Sequence, residues 1–215
     1  MLRSLVGSEM CIRDRCIPVV PNVKLAQRVQ AHGADALVVE GMEAGGHDGK
    51  LTLMALLENV LPDIEIPVIA AGGIADGRGI AASLLMGASG VQMGTRFLLA
   101  EECSLHPKAK DAIMAAADTD SVVTGFTTGD SVRGLKNRFS DRYLKAEYSG
   151  ASPDELSSIS AGTTKRGALF GDTENGFILA GMSLTHLTKI QSAKEIVEEL
   201  VSETERRLAA APGLI

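Results

Sequence analysis

The 215-residue sequence contains no tryptophan, and aromatic residues make up only 3% of it, which removes the stacking surfaces used to bind sugars and bases. Its three cysteines, Cys11, Cys16 and Cys103, have no metal-ligand spacing and form no even-numbered framework, so reduced thiols in a cytoplasmic protein and no metal site are expected. No apolar run approaches the roughly 20 residues that cross a bilayer, which argues against a membrane protein. Positive charge is also short: 21 Lys and Arg stand against 27 Asp and Glu, a net charge of -6. Without a basic face, nucleic acid is not an expected partner, and an acidic protein partner would need a local basic patch.

What is present is a 45% hydrophobic chain with a repeated plan of apolar strand, glycine turn and helix. Strands are predicted at about 16–20, 36–40, 67–71 and 90–94. Helices follow at Val23 to Ala31, Leu51 to Leu61 and Gly77 to Met86, ending at Gly33, before Pro62 and at Gly87. Such alternation means a parallel sheet covered by helices. After Phe97 the strand signal stops. Helices are expected at Ala109 to Ala117, Asn137 to Tyr148 and Ser192 to Ala209, with a Gly- and Thr-rich loop through Gly129 and a Ser-rich loop after Tyr148. Ser192 and Glu195 fit a capping box, and Ile196, Val197 and Leu200 are the expected buried stripe.

Four strand-helix units are half of a TIM (β/α)8 barrel, which takes about 250 residues. The expectation is therefore an α/β fold: the C-terminal half of such a barrel with additional C-terminal helices, in one domain over residues 16–215. Residues 1–15 fit neither a signal peptide nor the regular pattern and read as a non-native segment, with the gene truncated just before Cys16. A half barrel leaves two sheet edges unpaired and one apolar face uncovered, so poor solubility is expected of it.

Candidate chemistry clusters in the loops that follow the strands. His47 ends the flexible run Glu40-Gly41-Met42-Glu43-Ala44-Gly45-Gly46-His47, and a histidine there suits proton delivery or carbonyl polarisation. Taken alone, it is more often a residue that hydrogen-bonds its own loop. Gly72 and Gly73 after the third strand, and Gly94 with Thr95 after the fourth, offer bare amides at helix N-termini, which suits a phosphate; tight turning is the alternative. Glu40 is expected to hydrogen-bond loop amides at its strand end, and Asp76 to cap the helix that includes Gly77 to Met86. Arg96 either contacts phosphate or pairs with a surface acid. Arg133, Lys136 and Asn137 read physically as a solvated charged face, and His32, His106 and His186 as structural or exposed residues.

These residues also carry a family resemblance over the run from Cys16 to the C-terminus. The motifs are Gly41-Met42-Glu43-Ala44-Gly45-Gly46-His47, Ile69 through Gly79, Gly90 through Phe97, Val132-Arg133-Gly134-Leu135-Lys136-Asn137 and Gly171 through Gly176. Together they resemble the flavin-dependent enoyl-[acyl-carrier-protein] reductase II family, which is related to the nitronate monooxygenases. Met182 departs from the pattern, which more often has Gln after Ala-Gly.

The resemblance implies a flavin mononucleotide (FMN) cofactor and NADH or NADPH as reductant. It implies an acyl carrier protein-linked or CoA-linked enoyl substrate in fatty acid biosynthesis, and a homodimer as a candidate assembly. It places Gly45, Gly46, Ala71, Gly72, Gly73, Met93, Gly94 and Thr95 at the cofactor and His47 in catalysis. In the reductases the matching His sits beside the flavin, and in the monooxygenases it is the base acting on the nitro substrate. Nitronate monooxygenase is thus the nearest rival function, and an inactive fragment the rival from another class.

Overall fold

The structure is a computed structural model that describes residues 15–214. Of the fifteen N-terminal residues set aside above, all but Arg15 lie outside the described residues. Arg15 Nη1 pairs with Asp35 Oδ1 at 2.6 Å.

The chain runs β1 (Val19–Val20), α1 (Val23–Ala31), β2 (Leu37–Glu40), β3 (Gly46–His47), α2 (Leu53–Val60), β4 (Val68–Ala71), α3 (Gly77–Met86), β5 (Gly90–Gln92) and α4 (Thr95–Leu98). It continues with α5 (Pro107–Ala115), β6 (Ser121–Thr124), β7 (Val132–Leu135), α6 (Arg138–Tyr148), α7 (Pro153–Ser160), α8 (Thr163–Phe170) and α9 (Ala193–Ala210). Strands β1, β2, β4 and β5 lie side by side in that order, all parallel. The register aligns Val19 with Val38, Val38 with Ile69, and Ile69 with Gly90. This is the expected strand-helix alternation of a (β/α)8 barrel segment.

The helix-facing side of the parallel sheet is covered, whereas on its other face Val19 is half exposed. Leu37 and Val39, with Val68 and Ala70, are buried against Leu56, Leu57 and Val60 of α2. Helix starts follow from their caps: the Asn22 side chain accepts from Leu25 N, and Asp76 accepts from Arg78 N and Gly79 N, each satisfying amides that have no partner inside the helix.

A second sheet corrects the reading that strands stop at Phe97. Strands β3, β7 and β6 pair antiparallel in that order, with Gly46 opposite Arg133 and Thr124 opposite Val132. Each strand of the β6–β7 hairpin has four residues, and Ser121, Thr124 and Arg133 interrupt its apolar pattern, so it resembled a loop. Gly134 looks like a strand breaker yet is required by packing: a Cβ there would lie 2.5 Å from the Phe177 ring and 2.6 Å from Ile178 O.

The Ser-rich stretch is also helical, as α7 and α8. The Ser152-Pro153-Asp154-Glu155 start, with a complete capping box, outweighs the weak helix preference of serine. In α9 the Ser192–Glu195 capping box forms, and Ile196, Leu200 and Thr204 are buried. Val197 is 47% exposed, because its position falls one residue off the stripe defined by that four-residue spacing.

Helix α9 returns to the parallel sheet by packing on α3. Gly77 N donates to Glu203 Oε2 at 3.0 Å, and a Cβ on Gly77 would come within 2.6 Å of both Glu203 Cβ and Thr204 N. Gly77→Ala should therefore force α9 away and cost roughly 1–3 kcal/mol, read as a lowered denaturant midpoint. Gly90→Ala, where a Cβ meets nothing within 4 Å, is the control expected to change little.

Candidate functional site

At the C-terminal ends of β2, β4 and β5 the loops converge on a cleft of about 270 Å3. Its walls include Ala44 and Gly45 after β2, Ala71 to Ile74 after β4, Gln92 to Thr95 after β5, and Leu179, Gly181 and Ser183 from an irregular strand-like segment. The loops are locked together by backbone contacts. Gly41 N donates to Ala71 O at 2.9 Å, and Met182 N to Glu43 O at 2.9 Å. Gly181 N donates to Thr95 Oγ1 at 2.9 Å, and Ser183 Oγ to Gly73 O at 2.6 Å.

Glycine is obligatory in this cluster. A Cβ on Gly45 would sit 2.6 Å from Ala180 C, and one on Gly181 would sit 2.6 Å from Glu43 O. Gly72 and Gly73 have φ of 92° and 72°, a left-handed backbone that side chains with a Cβ rarely adopt. Gly94 differs. Its φ of -101° is ordinary, and a Cβ there meets nothing within 4 Å, so its bareness leaves room along the cleft wall.

The backbone N–H groups of Gly72, Gly73, Gly94 and Thr95 have no hydrogen-bond partner among the described residues. All four residues line the cleft. The Thr95 hydroxyl accepts from Gly181 N, which leaves its own proton available to donate. A neighbouring cavity of about 490 Å3 shares Gly73 and Ser183 with the cleft. Its lining mixes Asp76, Asp118, Glu199 and Glu203 with Arg78, Arg96 and Lys189, so charges of both signs face it.

The structure thus brings together Gly45, Ala71, Gly72, Gly73, Met93, Gly94 and Thr95. It does not bring Gly46 or His47 into the lining. They form β3, and the His47 side chain is 78% exposed, with Nε2 3.1 Å from Asp130 Oδ1. Glu43, not Glu40, accepts a backbone amide: Leu53 N, at the start of α2, donates to its two carboxylate oxygens at 3.1 and 3.0 Å. Asp76 caps α3 as expected. Arg96 is buried and lines the larger cavity; Nη2 donates to Gln191 Oε1, and Nη1 has no partner among the described residues.

Arg133 corrects the reading of a solvated face. It is 5% exposed and ties the β2 loop to the second sheet. Nε donates to Met42 O at 3.0 Å, Nη1 to Ser121 Oγ at 3.2 Å, and Nη2 lies 3.6 Å from Asp48 Oδ2. Leu179, Gly181 and Ser183 were not anticipated in the cleft. The only sequence signal for them is the small pair Ala180-Gly181 in an otherwise apolar run.

A model of the family described as nitronate monooxygenase matches residues 9–203. The chain belongs to the nitronate monooxygenase family. The probable nitronate monooxygenase of Staphylococcus aureus is 36% identical over 183 residues, covering 80% of this chain and 51% of that protein. FabK from Thermotoga maritima superposes with a TM-score of 0.90 at 39% identity, covering 94% of this chain and 64% of that one. A nitroalkane oxidase from Streptomyces ansochromogenes superposes with a TM-score of 0.82 at 29% identity, covering 97% and 62%. The chain spans about half the length of the curated nitronate monooxygenase relatives it matches. No helix among the described residues is long and apolar enough to cross a membrane.

Glu40 lines the cleft as a half-buried carboxyl. Burial pushes it above its ordinary value of 4.5, nearby Asp48 raises it further, and His47 opposes both. An acid raised on folding contributes stability that is complete below its unfolded value and is lost as pH rises through the folded one. Melting temperatures measured from pH 4.5 upward should show Glu40→Gln gaining on the parent chain as pH rises. A constant difference would place the carboxyl in an ordinary environment.

Proposed function

We propose that this chain carries the phosphate end of an FMN site in a cytoplasmic enoyl thioester reductase that uses NADH or NADPH. The observation that supports this most directly is the set of four unpartnered amides at Gly72, Gly73, Gly94 and Thr95, beside the open space at Gly94. These amides, with the Thr95 hydroxyl, would hold the phosphate dianion at the N-termini of the segments that follow β4 and β5. Ala71 and Met93 supply backbone at the strand exits, and Gly45 supplies a flat wall.

When bound, the flavin supplies hydride transfer from the nicotinamide to the β-carbon of a trans-2-enoyl thioester attached to acyl carrier protein or CoA. His47, two residues beyond Gly45, polarises the thioester carbonyl or delivers the proton to the α-carbon. The likeness to FabK, at 39% identity, favours the reductase. The family match and the Staphylococcus aureus relatives support nitronate oxidation as a second reading, in which His47 acts as a base and oxygen is the acceptor. Turnover of crotonyl thioester with NADH, compared with turnover of a nitronate with oxygen, separates the two.

Gly94→Val tests the cofactor site without the backbone strain that substitution of Gly72 or Gly73 brings. It should lower FMN affinity at least tenfold in a fluorescence titration while the melting temperature of the apoprotein stays unchanged. Unaltered affinity would place the phosphate elsewhere. His47→Ala should behave in the opposite way, keeping bound flavin and losing most turnover, because the phosphate is held by other loops. Loss of flavin with unchanged turnover per bound flavin would remove His47 from the chemistry.

A further inference from the structure

His47 is fixed by a part of the chain far from its own loop. Strand β3 pairs with β7 so that His47 lies opposite Val132, and Asp48 N donates to Ser131 O at 3.3 Å. The Arg133 contacts with Met42 O and Asp48 hold the loop on both sides of the histidine. The β6–β7 turn ends at Asp130, whose N donates to Gly125 O at 3.1 Å.

That turn is anchored from α6. Glu147, itself 4% exposed, accepts from Gly125 N at 3.2 Å, Thr127 N at 2.8 Å and Thr127 Oγ1 at 2.9 Å. A buried carboxylate with three donors holds the turn in one conformation. The turn in turn places Asp130 Oδ1 3.1 Å from His47 Nε2.

We infer that Asp130 is a positioning residue for His47, a role that rests on the acid–base role proposed for that histidine. With Asp130 beside it, Nε2 carries the hydrogen and donates to the carboxylate. Nδ1 is then left with the lone pair that takes or relays a proton, since a neutral imidazole has one donor and one acceptor nitrogen. A carboxylate that selects the tautomer and aims the ring is a recurrent way of preparing a catalytic histidine. The exposure of both side chains, 78% and 76%, argues against a stabilising purpose, because exposed ion pairs add little to stability.

The test is a long-range 1H–15N spectrum of the 15N-labelled chain at about pH 9, where imidazole is neutral. His47 signals are assigned by their loss in His47→Gln. The parent chain should show one protonated nitrogen, Nε2, well separated in shift from Nδ1. In Asp130→Ala the two shifts should converge as tautomers mix, Asp130→Glu should restore the separation, and the melting temperature should stay put in both. The same Asp130→Ala change in flavin-loaded enzyme should lower kcat on the order of tenfold with KM unchanged.

An unchanged separation in Asp130→Ala, or an Nδ1–H tautomer in the parent, would overturn the positioning role whatever the reaction. Convergence of the shifts with unaltered kcat, while His47→Ala is inactive, would overturn the positioning role alone, whereas an active His47→Ala would overturn the reading of His47 on which it rests, so the two failures are distinguishable.

Discussion

The cleft exists because backbone can touch backbone where the loops after β2 and β4 meet the segment around Gly181. Gly45, Gly72 and Gly181 each stand where a Cβ would lie within 3 Å of another loop's main chain, and Gly41 where it would lie within 3 Å of Leu53 at the start of α2. That distance is closer than a real Cβ contact allows, so a single methyl group at any of them would push the walls apart. The cleft wall formed by Gly72, Gly73, Gly94 and Thr95 depends on this constraint. The hydrogen bonds Gly181 N to Thr95 Oγ1 and Ser183 Oγ to Gly73 O hold the loops after β4 and β5 against the Gly181 segment.

The second sheet solves a different problem. The β2 loop must be long and glycine-rich to make the close approaches at Gly41 and Gly45, and such a loop has little intrinsic order. Strand β7 supplies order from outside, through β3 pairing and through Arg133. Burying a guanidinium is unfavourable, and burial lowers the Arg133 value while Asp48 and Glu43 work to keep its charge. The cost is offset by its hydrogen bonds to Met42 O and Ser121 Oγ and by Asp48. Buried charges persist in folded chains when they are paired in this way.

These two devices divide the work of the site. The cleft wall is built from main chain at strand ends, whose positions follow the sheet. The histidine sits on the β3–β7 ribbon, so its placement depends on elements 74 to 100 residues later in the chain, from Ser121 to Glu147. The cleft thus rests on the β/α scaffold, and His47 on a separate loop supported by the hairpin.

Sequence alone determined the parallel strands, the helices between them, the Asp76 and Ser192 caps and the glycine loops, because each is encoded by neighbours a few residues apart. It also named seven of the cleft residues, since strand–glycine–helix junctions place amides at strand ends wherever the fold is parallel. It missed α7, where a local start signal was present but serine content dominated. What only the tertiary structure decided rests on distant partners. Arg133 is buried because β7 faces the Met42 loop, Gly134 is a strand residue because Phe177 fills its side, and Val197 is exposed because α3 meets α9 along Gly77 and Thr204. The separation of His47 from the cleft lining belongs to the same class: a glycine loop leaves the direction of its last side chain open, and pairing with β7 selects one.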